Sequence, residues 1–237
     1  MDIVRESLGD LSGGRILDVA TGDGYFVNLL IKNLKDYSEV IGVDCDFSVV
    51  ELAKKAFNND KISFEYMSGD NILFDDCSFD TVSISNSLHH MENTGKTLSE
   101  MLRVLKPGGL FIINELFCDF QNEKQLTHVY LHHLQAEVET LLGITHKKTF
   151  KKQEVIDIAS NLGFVGLRSF VHENEMFNRH VQIDKFTERY INIVDKIKGY
   201  PQYHKYSAIL EMLIERLNRV GVEFTSQLMI LGIKPER

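Results

Sequence analysis

Cysteine is scarce in this chain, and what there is cannot pair off: Cys45, Cys77 and Cys118 are three in 237 residues, with no CxxC spacing. That excludes a disulfide framework and a thiolate metal knuckle. Long apolar runs are missing too. No stretch of about twenty apolar residues could serve as a membrane helix, and the opening Met1-Asp2-Ile3-Val4-Arg5-Glu6 has no basic-then-apolar signal pattern. The expectation is a soluble, cytoplasmic protein with no membrane partner. Basic charge is also in deficit. Twenty-six Lys and Arg against 34 Asp and Glu give a formal charge of −8, which argues against a general polyanion binder and for a small-molecule substrate, with no nucleic acid. The only marked basic cluster, Lys147, Lys148, Lys151 and Lys152, reads as a solvated loop and helix start.

What the chain does have is a dense motif near its beginning. Ile16-Leu17-Asp18-Val19-Ala20-Thr21-Gly22-Asp23-Gly24-Tyr25 is an apolar run suited to a buried strand, followed at once by a glycine-rich bend. Phe26, Leu29, Leu30 and Leu34 then recur at helical spacing, so a helix opens directly after the bend. A second apolar run, Val40-Ile41-Gly42-Val43-Asp44, ends in an acid twenty positions after Gly24, the separation at which a βαβ unit presents a carboxylate to ribose hydroxyls. A dinucleotide site would want a third glycine where Val27 stands, and Asp23 would repel a pyrophosphate. Asp18 is where a ligand ammonium or sulfonium would find a negative neighbour. A cationic adenosyl ligand therefore fits better than a nicotinamide dinucleotide.

Strand-like runs at 15–20, 39–43, 61–66, 79–85 and 109–115 alternate with helical periodicity, and this predicts a parallel sheet in a chain long enough for one α/β domain. Pro107-Gly108-Gly109 closes a helix and feeds the fifth strand. Asp18, Asp44, Asp70, Asn86 and Glu115 all fall at strand carboxyl ends, where such sheets bind ligands.

With Ser68-Gly69-Asp70-Asn71, the run Phe79 to His90 and Leu102-Arg103-Val104-Leu105-Lys106-Pro107-Gly108-Gly109 added to the first motif, residues 14–115 resemble the class I S-adenosylmethionine-dependent methyltransferases, in particular the ubiquinone and menaquinone biosynthesis C-methyltransferase-like group. Ala20 departs from the family's usual glycine. The resemblance implies a Rossmann-like sheet of seven strands, mostly parallel with an antiparallel last strand. It implies S-adenosyl-L-methionine as cofactor and S-adenosyl-L-homocysteine as product. It also implies that Asp44 takes the ribose hydroxyls; Cys45, next along the chain, reads either as a neighbour of the adenosine or as a buried structural thiol. Gly22 and Gly24 would pass under the methionine end, with Ala20 close to it; Asp70 and Asn71 would meet the adenine; Asn86 and Ser87 would approach the sulfonium side; Thr21 and Gly69 complete the cofactor-binding set. His89 and His90 fall where a general base for the acceptor would stand, and His90 is the candidate catalytic residue. The alternatives are an RNA or protein methyltransferase and a protein that holds the adenosyl ligand without turnover. The acceptor atom is left open among carbon, oxygen, nitrogen and sulfur.

Beyond Glu115 the resemblance loosens. Residues 121–142 read as an amphipathic helix with Leu126, Tyr130, Leu134, Val138 and Leu141 on one face. A sixth strand follows Asn161-Leu162-Gly163-Phe164, and Glu223 to Lys234 forms the closing antiparallel strand. Between those two strands an insertion reads as helices over 180–198 and 204–220, broken at Lys198-Gly199-Tyr200-Pro201. The expectation is one domain over 1–237, with a 14–115 cofactor core. Segments 116–150 and 175–220 supply a helical cover over the substrate pocket or a homodimer contact.

Nine histidines are present. His128 and His132 are one helical turn apart on the face opposite the apolar stripe, continued by Gln135 and Glu139. That face is either a hydrated polar surface or half of a site in which His128, His132 and His146 bind a transition metal that activates the acceptor.

Overall fold

The first strand forms because Ile16, Leu17 and Val19 have nowhere to point but inward: each is completely buried, as expected of a strand covered on both faces. The computed structural model describes residues 3–173 and 182–236; positions 175–181 of the expected 175–220 cover lie outside the described residues. Seven strands, β1 (Arg15–Val19), β2 (Glu39–Asp44), β3 (Ile62–Tyr66), β4 (Phe79–Ser85), β5 (Leu105–Leu116), β6 (Val165–His172) and β7 (Gln227–Ile233), make one sheet in the order β3-β2-β1-β4-β5-β7-β6. Neighbours from β3 through β5 pair in parallel, and β7 runs antiparallel to both β5 and β6. The order reverses between β1 and β4, so a crevice opens at their carboxyl ends.

Alternate residues along each strand supply two separate cores. Leu17, Val19, Val82, Ile84, Phe111 and Ile113 face Leu98 and Met101 of α4 (Thr94–Val104) and Val155 and Ala159 of α6 (Lys152–Ser160). Ile16, Val40, Leu110 and Ile112 face the other way, onto Leu8 of α1 (Ile3–Leu8), Val27 and Leu30 of α2 (Tyr25–Asn33), and Val50 and Ala53 of α3 (Phe47–Ala56). The period of two in the strands and of 3.6 in the helices thus builds a three-layer sandwich. β5 is longer than its apolar run, because Leu105 already pairs with Phe79 before an irregularity in the register.

A third core lies apart from the sheet. Leu131, Leu134 and Val138 of α5 (Glu123–Leu141) pack against Phe186, Tyr190, Ile193 and Val194 of α7 (Ile183–Asp195) and Tyr206, Leu210 and Leu217 of α8 (Tyr203–Val220). The insertion before β7 therefore lays its apolar faces on α5. Asn122 caps α5 reciprocally with Gln125, which fixes where that helix starts relative to the end of β5. Unlike the expected stripe, Tyr130 is exposed while His128 is buried. α5 is thus covered on the side that sequence periodicity marks as polar.

Candidate active site

The bend after β1 turns on backbone conformation. Ala20 has φ 54°, Gly22 φ 57° and Gly24 φ 83°, three left-handed residues in five positions, and only the alanine carries a Cβ against that geometry. The three glycines expected to meet the ligand do different work. A Cβ on Gly22 would meet nothing within 4 Å, so its backbone faces open space. On Gly24 it would strike Phe57 at 2.6 Å, and on Gly69 it would strike Val19 at 2.7 Å. Those two glycines are there for close packing.

Asp44 ties the bend to the next strand. Its Oδ2 accepts from the Gly22 amide at 2.9 Å and its Oδ1 from the Asp46 amide at 2.9 Å. Ala20, Asp44, Cys45, Gly69, Asp70 and His90 line one cavity of about 240 Å³ at the carboxyl ends of the strands. Asp70 accepts from Ser68 Oγ at 2.7 Å and from Lys96 Nζ at 3.4 Å, which together hold its carboxyl below the usual range. Partial burial and the neighbouring Asp44 push the Cys45 thiol up, so it stays protonated beside the cavity.

The remaining expected cofactor residues do not line this cavity. Asp18 is buried and accepts from Ser83 Oγ at 2.6 Å and Thr21 Oγ1 at 2.8 Å. Burial outweighs those hydroxyls and raises its carboxyl to about 6. Thr21 is thereby spent on Asp18, while Asn71 is exposed. Ser87 Oγ donates to Ser85 O at 2.7 Å. Asn86, at φ 48°, carries a buried Oδ1 with no hydrogen-bond partner among the described residues, so none of them offsets its desolvation.

The sheet order and this cavity invite comparison with known proteins. A family described as a methyltransferase domain matches residues 17–113. The ubiquinone/menaquinone biosynthesis C-methyltransferase UbiE of Geobacter sulfurreducens is 36% identical over 107 residues, covering 44% of this chain and 42% of that protein. The chain spans about half the length of the curated relatives it matches. Among solved structures, the YcgJ protein from Bacillus subtilis superposes with TM-score 0.61 at 18% identity, covering 99% of this chain and 97% of that one. Phosphoethanolamine N-methyltransferase 2 of Haemonchus contortus, solved with phosphomonomethylethanolamine and S-adenosylhomocysteine, gives TM-score 0.59 at 17% identity, covering 98% of this chain and 52% of that one. Residues 17–113 are thus similar to a methyltransferase domain.

Next to the domain's cavity lies a cluster of histidines drawn from three places. His89, in the short turn Leu88–His90 after β4, is buried and has its Nδ1 3.0 Å from Glu115 Oε1 at the end of β5. Its Nε2 is 3.2 Å from His132 Nε2 on α5, and His132 Nε2 is 3.1 Å from His146 Nε2 in the loop beyond. His146 Nδ1 meets Glu139 Oε2 at 2.6 Å. Burial, reinforced by the neighbouring histidines, pushes His132 far below the usual imidazole range.

His128 does not join them, in contrast to the sequence expectation. Its Nδ1 receives the Thr225 amide at 3.3 Å and its ring lies against Phe224, while burial lowers it to about 4. A residue one turn along a helix shares a face, but the turn-to-turn displacement is enough to give it different neighbours. His89 takes the place expected of His128. The His89-His90 doublet was visible in the sequence as candidate base material, and Glu115 as a strand-end acid; their convergence with α5 was not. His90 stacks on His146 and His89, with ring centroids 4.1 and 4.2 Å apart, and faces the domain's cavity. A second, larger cavity of about 630 Å³ is lined by Ala136, Leu141, Ile144, Thr145, His146 and Tyr206 among others, and Thr145 borders both cavities. No described helix is long and apolar enough to cross a membrane.

Proposed function

We propose that the protein is an S-adenosylmethionine-dependent methyltransferase acting on a small molecule, organised as one domain over 1–237 with a 14–115 cofactor core. The observation that carries this reading is the cavity formed by Ala20, Asp44, Cys45, Gly69 and Asp70 at the strand carboxyl ends of a matched methyltransferase domain. Two further features fit an adenosyl ligand: the Gly22 backbone open to close approach, and the unpartnered buried Oδ1 of Asn86. When bound, the cofactor supplies a methyl group on a sulfonium centre that brings its own leaving group. The protein's share is then alignment and water exclusion.

In this reading Asp44 accepts from the ribose hydroxyls with the lone pairs its two amide contacts leave free. Asp70 and Asn71 border the adenine, Cys45 and Gly69 wall the adenosine, and Gly22 passes beneath the methionine end. Asn86 and Ser87 stand on the sulfonium side. Asp18, held by Thr21 and Ser83 below the bend, adds negative potential without touching the ligand. His90 is positioned to take a proton from an acceptor. Segments 116–150 and 175–220 cover the acceptor side, since α5 reaches the carboxyl end of β4 through His132 and carries α7 and α8 on its back. The family match stops at residue 113, ahead of both segments. The quinone chemistry in the relatives' names is therefore one member of an acceptor panel and does not define it.

Calorimetry with S-adenosylhomocysteine and S-adenosylmethionine tests the reading, followed by radiolabelled methyl transfer to phenols, thiols, amines and a demethylated quinol. Wild type binds both ligands, and Asp44→Ala weakens them about 10-fold or more, as loss of charge-assisted hydrogen bonds requires. Folded protein that gives no heat with either ligand, or an Asp44→Ala variant that binds like wild type, overturns it.

A further inference from the structure

His89, His132 and His146 each offer a ring nitrogen within 4.8 Å of the other two, and the Nε2 of His132 lies 3.2 Å from that of His89 and 3.1 Å from that of His146. Proton bookkeeping shows that hydrogen bonds alone do not satisfy this arrangement. Glu115 and Glu139 only accept, so the Nδ1 atoms of His89 and His146 that face them carry hydrogen. In a neutral ring the Nε2 of each is then a bare lone pair. Both lone pairs point to the single Nε2 of His132, which carries at most one hydrogen, so at least one contact sets lone pair against lone pair. Charging one ring leaves the other contact unmet, and charging both places two imidazolium ions in a buried site.

A cation removes the conflict, because it accepts all three lone pairs at once. Zinc–imidazole bonds of about 2.0–2.1 Å at tetrahedral angles separate ligand nitrogens by about 3.3 Å, close to the two shortest separations here. The two carboxylates then fill the role that outer partners fill around metal-binding histidines, fixing the tautomer that leaves Nε2 free. They also balance the charge of a divalent ion. The scaffold holds the rings in place independently of any ion: the Lys147 amide donates to His89 O at 2.8 Å, the Leu88 amide to Glu115 Oε2 at 2.9 Å, and Lys147 Nζ to Met91 O at 2.8 Å.

We propose that His89, His132 and His146 bind one divalent transition-metal ion of the zinc class, oriented by Glu115 and Glu139, with a coordination position left open. Three neutral imidazoles favour such an ion over magnesium or calcium, which prefer oxygen. Three protein ligands are the set found where a metal keeps a position for an exogenous donor. The location gives that position a use. His146 borders the larger cavity, and His90, stacked on two of the three ligands, borders the smaller one. An oxygen or sulfur donor in the larger cavity, losing its proton to solvent, is the class of ligand the open position would take. That last step rests on the methyltransferase reading; the metal site does not.

Tag-free protein stripped with a chelator and titrated with Zn2+ alone should take up one equivalent, and Co2+ alone should give the intense visible bands of a low-coordinate site. A small thiol added to the Co2+ form should shift those bands; unchanged bands overturn the open position. His132→Ala and His146→Gln should each weaken Zn2+ by about 100-fold, as loss of a ligand or of its orientation does, whereas His128→Ala should bind it as wild type does. S-adenosylhomocysteine binding and circular dichroism on each variant show that it is folded. Wild type that binds S-adenosylhomocysteine but takes up no stoichiometric Zn2+ overturns the proposal, as does undiminished uptake by folded His132→Ala and His146→Gln. Wild type that takes up Zn2+ but binds no S-adenosylhomocysteine strikes the functional reading and leaves the metal site standing.

Discussion

At Ala20 a side chain stands where the backbone asks for none. Its φ of 54° costs an L-residue about 1–2 kcal/mol, and a glycine would adopt it freely. Glycine also has more freedom to lose on folding, worth about 0.4–1 kcal/mol in the opposite direction. The difference makes Ala20→Gly more stable than wild type by about 0.5 kcal/mol, read as a higher urea midpoint at unchanged slope. A lower midpoint would show that the methyl group, which lines the cavity at the strand carboxyl ends, contributes packing that exceeds the backbone strain. The sequence disclosed this departure from the family's glycine, but not its cost, which depends on a dihedral angle no residue type prints. Asp44 was legible for a different reason. A carboxylate at a strand end, twenty residues after the bend, is a relation along the chain. The use of Gly24 and Gly69 was not legible, because what a Cβ would strike there is Phe57 and Val19 respectively, both distant in sequence and invisible to local pattern.

Among the elements, the parallel strands were the most readable, since burial on both faces writes an uninterrupted apolar run and leaves little else for the residues to be. Helix α5 was the least. Its periodicity separates an apolar stripe from a histidine face, and in an isolated surface helix that face would be wet. Here it abuts the end of β4 and the loop at His146, while Tyr130 of the supposed apolar stripe stays exposed. Period reports how residues are distributed around an axis; which side is covered depends on partners more than forty residues away, as the His89–His132 contact shows. The same helix carries the insertion, through a core in which Tyr190 is almost entirely enclosed. Removing that ring should leave a cavity the surrounding helices cannot close, so Tyr190→Ala should cost about 3–5 kcal/mol. Hydrogen exchange should place the loss in α7, α8 and α5, with the strands protected as before. A uniform loss of protection across the sheet would show instead that the helical cover and the sheet unfold as one unit.

For the molecule as a whole, the buried histidines and Asp18 pull stability in opposite directions as pH changes. His128 is lowered to about 4 by burial and His132 lies lower still, so between roughly pH 6.5 and 4 the unfolded chain takes up protons that the native chain refuses. Stability from these groups is fully present above the ordinary imidazole range and is lost as pH falls. Asp18 behaves in the reverse sense. Its carboxyl is raised to about 6 by burial, so between about pH 6 and the ordinary carboxylate range the native chain holds a proton that the unfolded chain has lost. Lowering pH through that window favours the folded state, with at most about 3 kcal/mol at stake. At least two histidines oppose one aspartate, and the chelator-treated protein should therefore lose stability in urea on going from pH 7 to pH 5. Asp18→Asn separates the contributions, because an amide can still meet the Ser83 and Thr21 hydroxyls while carrying no charge. The variant should be more stable than wild type at pH 7, by up to that same amount, and its loss on acidification should be steeper, since the compensating proton uptake is gone. A variant that is less stable at pH 7, with an unchanged acid slope, would mean that the native Asp18 stays ionised through that whole window, down to the ordinary carboxylate range, held by its two hydroxyl donors against the cost of burial.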